Sequence, residues 1–191
     1  MRMLVLARHF AAALSLLTLA SHAALGQSDE LLEAYDRFEA FQRQGRVEEA
    51  MVHGKKALKL SLDELGFNNW DTALLIANLA YLEATQGNFD EAMTQYEIVL
   101  KIFERVVGTE HPNVAWALGQ IAWLRQVEGN YTAAESLLRR ALAIMEKTQE
   151  LDPLEMSRTL KKYAALLRIT GRVDEARELE ARAAAIEAKD E

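Results

Sequence analysis

QGRVEEA at residues 44–50 recurs every 42 residues, as QGNFDEA at 86–92, EGNYTAA at 128–134 and TGRVDEA at 170–176. Every copy has a glycine at its second position and an alanine at its seventh. A constant step of about 20 to 50 residues is typical of proteins in which each repeat is one supersecondary unit stacked on the next. The sequence therefore predicts four stacked repeats.

Each copy has the chemistry of a tight turn between two helices. Glycine adopts a left-handed conformation at little steric cost and often ends a helix. Acidic pairs such as Glu48–Glu49 and Asp90–Glu91 then fall in the first turn of the next helix, near the positive end of its dipole. The alanine is expected where two helices cross closely. Each repeat is thus predicted to be a helix, a turn and a helix.

Apolar residues on both sides of the turns follow the i, i+3, i+4, i+7 spacing of amphipathic helices, and no strand is indicated. We name the two helices of each repeat A and B. The fold class predicted is all-α, with Asp71 and Asn113 as N-caps. The predicted helices are A1 29–44, B1 47–64, A2 71–86, B2 89–107, A3 113–128, B3 131–148, A4 154–170 and B4 173–189.

Composition excludes several classes of function. The formal charge of −7 disfavours nucleic-acid binding, which depends on neutralising phosphates. Cysteine is absent and the four histidines lack metal-ligand spacing. No phosphate-binding loop or nucleophile elbow occurs in the sequence. We therefore expect a protein that is not an enzyme, with no cofactor, no metal and no nucleic-acid partner.

Residues 1–26 read differently from the rest of the chain. Arg2 and Arg8 give a positive start, Phe10 to Ala20 is mostly apolar, and small residues follow. This three-part order is typical of a secretory signal peptide. Cleavage is expected after Ala23 or after Gly26.

Removal of this segment would leave a repeat domain at 27–191, secreted or in a bacterial periplasm. An uncleaved segment that tethers the chain to a membrane, and an organelle transit peptide, are the alternatives. Membrane contact is expected only through such an uncleaved segment.

The repeat resembles a known family. A small residue on helix A (Ala80, Ala122, Ala164), the turn glycine and the alanine early in helix B are similar to the tetratricopeptide repeat. The step exceeds the usual length of about 34 residues and resembles the kinesin-light-chain type. Asn78-Leu79-Ala80 and the loop 108–115 strengthen the likeness. It covers repeats at about 29–66, 71–108, 113–150 and 154–189. It implies a right-handed α-solenoid whose A helices line a concave, partner-binding face.

Two end features depart from this pattern. Phe38 replaces the small residue of helix A, and Gly54 falls inside helix B1, where glycine costs about 1 kcal/mol relative to alanine. We interpret the first repeat as an eroded end cap. Helix B4 is polar and alanine-rich, with Glu180 at an otherwise apolar position, and is also interpreted as a cap.

The resemblance also places the residues of the binding face. Carried over through the glycine register, they are Tyr35, Asp36, Glu39 and Gln42 on A1, Leu74, Asn78 and Tyr81 on A2, Trp116, Gln120 and Trp123 on A3, and Arg158, Lys161, Lys162 and Arg168 on A4. This face would be acidic at one end, aromatic in the middle and basic at the other.

Alternatives remain for its main features. The tryptophans either anchor a partner or pack between A helices, and the A4 cations either receive a carboxylate or form a solvated face. The function implied is a protein–protein interaction module that binds a peptide or a partner helix. A self-associating structural repeat protein, possible as a homo-oligomer, is the alternative.

Overall fold

A computed structural model describes residues 28–148 and 152–188. Over these ranges the chain forms eight helices and no strand. The helices are α1 Asp29–Arg43, α2 Val47–Glu64, α3 Trp70–Thr85, α4 Phe89–Val107, α5 Pro112–Val127, α6 Tyr131–Lys147, α7 Pro153–Ile169 and α8 Val173–Glu187. The predicted all-α solenoid of four repeats is confirmed. The predicted signal peptide at residues 1–26 lies outside the described residues.

The four repeat glycines end the A helices as expected. Their φ angles are positive, at 72° for Gly45, 87° for Gly87, 78° for Gly129 and 82° for Gly171. The residue after each glycine donates its backbone N–H to a carbonyl in the last turn of the A helix, as Arg46 does to Phe41 at 2.9 Å. This hydrogen bond satisfies a carbonyl that the helix end would leave unpaired.

The helices form two layers. Helices α1, α3, α5 and α7 make the A layer, and α2, α4, α6 and α8 make the B layer. Each helix packs on its partner in the repeat and on the next helix along the chain, and α5 also contacts α7 within the A layer. Ion pairs join neighbouring B helices, with Glu104–Arg140 at 2.6 Å and Glu146–Arg182 at 2.7 Å.

The core follows the register of the repeat. The alanines at the end of the repeated stretch, Ala50, Ala92, Ala134 and Ala176, are fully buried. Leu118, Leu138 and Leu160 are also fully buried, within the two clusters that span the second to fourth repeats. Helix α8 buries only Ala176 and Ala183, which agrees with its interpretation as an end cap.

The predicted N-caps of α3 and α5 are wrong by two residues. Asn69 caps α3, where its side-chain oxygen accepts the backbone N–H of Asp71 at 2.7 Å. His111 caps α5, where Nδ1 accepts the N–H of Asn113 at 3.2 Å. Both helices therefore begin one residue earlier than predicted. Pro112 favours this start because its ring fixes φ and its missing N–H needs no partner there.

Candidate functional site

One position of the repeat carries a polar side chain on every A helix. Asp36, Asn78, Gln120 and Lys162 follow each other at steps of 42 residues on α1, α3, α5 and α7. We call this set the polar row. Two neighbouring members meet directly, because Lys162 Nζ donates to Gln120 Oε1 at 3.5 Å. The row therefore crosses the A layer from one end of the solenoid to the other.

The two predicted tryptophans lie on α5 on either side of the row. Trp116 meets Tyr96 edge to face with ring centroids 5.9 Å apart, and Trp123 meets Phe89 in the same way at 5.9 Å. Both indoles pack against the central core and both remain partly exposed. Part of each ring is thus buried against the protein, and the rest is accessible to solvent. The supporting contacts from Tyr96 and Phe89 were not foreseen from the sequence.

Leu74 and Tyr81 of α3 complete the middle of the surface. Both are partly buried, Leu74 against the central core and Tyr81 against the core of the first repeat. Burial raises the pKa of the Tyr81 hydroxyl above its ordinary value. Asn78 lies between them on the same helix and is partly exposed. Its amide can both donate and accept hydrogen bonds.

The α1 end of the surface is acidic. Tyr35 is partly exposed, and burial, with the Glu39 carboxylate and then Asp71 and Asp36, raises the pKa of its hydroxyl well above its usual range. Glu39 also faces Arg43, at 3.9 Å on the same helix. Gln42, the fourth residue predicted on this helix, is partly exposed. A cation is favoured near these carboxylates and an anion is repelled.

The α7 end is less cationic than the sequence suggests. Arg158 pairs with Glu155 one turn earlier on its own helix. Lys161 pairs with Glu187 of α8 at 2.5 Å, and Arg168 pairs with Glu180 at 2.7 Å. These three cations serve mainly intramolecular contacts, as exposed i, i+3 or inter-helix pairs commonly do. The structure does not bring Lys161 or Arg168 to the polar row.

Lys162 is the member of this basic set that lies in the row itself. Burial lowers the pKa of its amine to about 8, while nearby Glu155 raises it and Arg158 lowers it further. Beside it, Gln120 is only 4% exposed. The Nε2 atom of Gln120 is buried without a hydrogen-bond partner in the part of the chain that the structure describes. An unpaired buried donor is costly, and such groups are uncommon in folded proteins.

No group of three or more potential metal-ligating side chains occurs within residues 28–148 and 152–188. Within the same ranges no helix has both the length and the hydropathy needed to cross a bilayer. His111, which lies in the loop 108–115, caps helix α5.

Comparison with known proteins agrees with this architecture. Residues 71–147, the second and third repeats, match the family of the tetratricopeptide repeat. These two repeats are tetratricopeptide repeats. The predicted resemblance is confirmed, and the structural neighbours include kinesin-light-chain-like repeat proteins. No curated protein matches the sequence.

Solved structures extend the likeness to most of the chain. BtubC (BKLC) from P. vanneervenii is 25% identical over 86% of this chain and 67% of its own, with a TM-score of 0.77. A Podosopora anserina protein described as a kinesin light chain with nearly identical TPR-like repeats is 23% identical over 88% and 82%, with a TM-score of 0.67. MamA is 14% identical over 84% and 80%, with a TM-score of 0.61. The last two likenesses concern the fold alone.

Proposed function

We propose that this chain is an exported, non-enzymatic interaction module that binds a peptide or a partner helix on the surface of its A layer. Tetratricopeptide repeats commonly act as protein-interaction modules. The observation that carries the proposal is the packing of Trp116 and Trp123, whose rings contact Phe89 and Tyr96 on one side while part of each ring stays accessible. Partly exposed aromatic rings beside polar groups are typical anchors of protein interfaces.

The same surface offers polar groups beside these anchors. Asn78 is exposed enough to exchange water for a partner's backbone groups, and its amide both donates and accepts. An acidic end at α1 and Lys162 at α7 add charge complementarity, which supports specificity more than affinity. Export is proposed from the signal-like residues 1–26.

The test is affinity capture from the native host, with the chain tagged at its C-terminus. Wild type is compared with a Trp116→Ala/Trp123→Ala variant and with Asn78→Ala, which leaves the packed rings in place. Trp70→Ala is the matched control, because Trp70 packs on Phe103 with ring centroids 4.9 Å apart and is not part of the A-layer surface described above.

We expect one discrete partner whose capture falls about 30-fold or more in the double variant, the loss typical of anchor residues. Capture should persist with Trp70→Ala at temperatures where all variants are folded. Equal capture by wild type and the double variant would contradict the assignment of the surface. The intact mass of the recovered bait tests export, since cleavage after Ala23 or Gly26 gives two distinct masses.

Self-association is the second candidate function. Val127, Tyr131, Ile169 and Val173 are 43%, 38%, 57% and 37% exposed around the turns of the third and fourth repeats. Burial of such apolar side chains between copies would be favourable. A molar mass that stays monomeric across a hundredfold range of concentration, measured by light scattering, would eliminate this candidate.

A further inference from the structure

The turn of the third repeat departs from the other three at one position. The first turns of α2, α4 and α8 carry acidic residues, whereas the first turn of α6 has none. Thr132 stands where the second repeat has Asp90. The start of α6 therefore lacks the favourable interaction between a carboxylate and the positive end of the helix dipole. Thr132 is exposed, so the packing of the core does not explain the change.

Thr132 completes a known modification signal. Asn130, Tyr131 and Thr132 form an Asn-x-Thr sequence without proline in the middle, which is the acceptor sequence for N-linked glycosylation in secreted proteins. In the whole sequence no other asparagine is followed two residues later by serine or threonine. An aspartate at position 132, as in the second repeat, would remove the signal. The departure from the repeat thus coincides with the one acceptor sequence of the chain.

The acceptor lies in open space at the surface. Asn130, Tyr131 and Thr132 are all exposed. Gly129, which precedes them, has a φ of 78°. A Cβ atom built on this glycine would meet no atom of the described residues within 4 Å, apart from those of its chain neighbours. A saccharide is bulky and needs such a position.

The amide of Asn130 is bonded differently from that of its equivalent in the second repeat. Asn88 donates from Nδ2 to the carboxylate of buried Glu83 at 2.6 Å. Asn130 instead uses Oδ1, which accepts the backbone N–H of Ala133 at 3.2 Å and caps α6. The residue equivalent to Glu83 in the third repeat is Arg125, whose guanidinium cannot accept a hydrogen bond. The cap therefore depends on the oxygen of the Asn130 amide and not on the nitrogen, which is the atom that carries a sugar.

We propose that Asn130 is N-glycosylated by a glycosyltransferase of the host. The inference rests on the proposed export, because this signal is used in secreted proteins. The donor is a saccharide linked through its C1 atom to a lipid diphosphate. Nδ2 forms a bond to C1 and loses one proton, while the bond between C1 and the diphosphate oxygen breaks and the lipid diphosphate leaves with its electron pair. The product is still an amide, so Oδ1 can continue to accept from Ala133 and cap the helix.

The attached saccharide would shield an apolar part of the turn edge. Val127 lies three residues before Asn130 and Tyr131 directly after it, and these side chains are 43% and 38% exposed. Exposed apolar side chains in a group favour association, and a saccharide beside them is solubilising. Glycosylation at Asn130 would therefore oppose self-association of copies through this edge.

The test is the intact mass of the full chain, tagged at its C-terminus and recovered from the exported fraction and from whole cells of the native host. Wild type is compared with Asn130→Gln, Thr132→Asp and Thr132→Ser. Asn88→Gln is the matched control, because Asn88 is the equivalent turn residue and is followed by Phe89 and Asp90. Fragmentation of the tryptic peptide 126–139 locates the added mass.

We expect the mass of exported wild type to exceed that of its polypeptide by whole sugar residues, all of them on Asn130. Thr132→Ser and Asn88→Gln should keep this addition, because both leave the signal intact. Asn130→Gln and Thr132→Asp should lose it completely. Thr132→Asp restores the acidic first turn of the other repeats, so the loss in this variant cannot result from a weaker helix start.

Three results would overturn the inference. An exported chain without sugar, whether or not it is cleaved after Ala23 or Gly26, leaves the proposed export standing and removes the glycosylation. A chain that is absent from the exported fraction and carries no sugar removes the proposed export and the inference together. A sugar that persists in Asn130→Gln lies on another residue and contradicts the assigned site.

Discussion

Phe38 and Gly54 are complementary in size: a Cβ atom on Gly54 would lie 2.8 Å from Cδ2 of the Phe38 ring and 2.8 Å from Leu79. Phe38 is fully buried, and the space that its ring fills is left by the missing side chain of Gly54. The large Phe38 and the small Gly54 therefore compensate each other in volume. The interpretation of this repeat as eroded is wrong, because its core is closely packed.

The second and third repeats divide the same space the other way round. In the second repeat the equivalent positions hold Ala80 and Tyr96, and in the third Ala122 and Leu138, all buried. There the A helix contributes the small side chain and the B helix the large one. The first repeat reverses this order and keeps the total volume similar, which is the condition under which cores tolerate substitution.

Gly54→Ala is expected to destabilise the chain even though alanine favours helices. The added methyl group would overlap the Phe38 ring, and such overpacking costs about 1 to 3 kcal/mol. Gly119→Ala is the matched control, because its Cβ atom would meet only Lys162 Nζ at 3.7 Å outside its own helix. We expect Gly119→Ala to stabilise by about 0.5 to 1 kcal/mol. Urea unfolding measures the free energy of unfolding of both variants. An increase in this free energy for Gly54→Ala would contradict the overlap with the Phe38 ring.

The double variant Phe38→Ala/Gly54→Leu should recover part of the stability that Phe38→Ala loses. Removal of a buried phenylalanine alone costs about 3 to 5 kcal/mol, and leucine at position 54 would fill the cavity as Leu138 does in the third repeat. A double-mutant cycle should give an interaction free energy of about 1 kcal/mol or more. Additive effects of the two changes would show that the residues do not share one space.

Stability should rise between about pH 8 and pH 10 because of Lys162. Burial lowers the pKa of this amine to about 8 in the folded chain, against about 10.4 when unfolded. In this window the unfolded chain binds more protons, so the free energy of unfolding increases with pH. The side chain is partly exposed, which reduces the effect. Above about pH 10 the raised pKa values of Tyr35 and Tyr96 reverse the trend.

Urea unfolding at a series of pH values measures this rise. Lys162→Met should remove it and should make the chain more stable than wild type at pH 7. Lys161→Met should retain the rise, because Lys162 is still present. A rise of equal size in Lys162→Met would show that another group causes it.

The ionised Glu135 carboxylate should stabilise the folded chain at neutral pH, and this stabilisation should be lost in acid. Hydrogen bonds from Arg172 at 2.7 Å and from the Tyr163 hydroxyl at 2.8 Å, together with the charges of Arg172 and Arg139, hold the pKa of this carboxyl below its usual range. The unfolded chain therefore takes up a proton first as the pH falls through about 4.3. The stabilisation is present above that value and disappears as the pH falls through the folded pKa.

We expect Glu135→Gln to lower the free energy of unfolding by about 1 kcal/mol at pH 7 and by less at pH 3. Glu33→Gln is the control, since it removes only an exposed i, i+4 pair with Arg37. A difference in the free energy of unfolding between wild type and Glu135→Gln that stays constant from pH 7 to pH 3 would contradict the role of the ionised carboxylate.

The repeat made most of the fold predictable from the sequence. The turn glycines and buried alanines are local signals that recur in all four repeats, so the helix boundaries differ from the prediction by at most two residues. The cap at Asn69 was missed because Asp71 is an equally good capping residue by type, and the cap at His111 was missed because asparagine is a preferred capping residue and histidine is not. Which of two such neighbouring residues acts as the N-cap depends on the residue at which the helix begins.

Side-chain partners across the layers could not be predicted in this way. The pairing of Arg158 with Glu155 is visible as an i, i+3 spacing, but that of Lys161 with Glu187 depends on how α7 and α8 pack. Phe38 and Gly54 each depart from the repeat, and only their contact in space shows that they compensate. The packing of Trp116 on Tyr96 likewise depends on tertiary structure.

Binding on the A layer is tested most directly by the indole N–H signals of the three tryptophans in the NMR spectrum of the full chain. The probe is a synthetic peptide that covers the bound segment of the partner recovered by affinity capture. We expect its addition to shift the signals of Trp116 and Trp123 at saturation and to leave that of Trp70, which packs on Phe103, in place. A bound peptide that shifts only Trp70, or none of the three, would contradict the central claim.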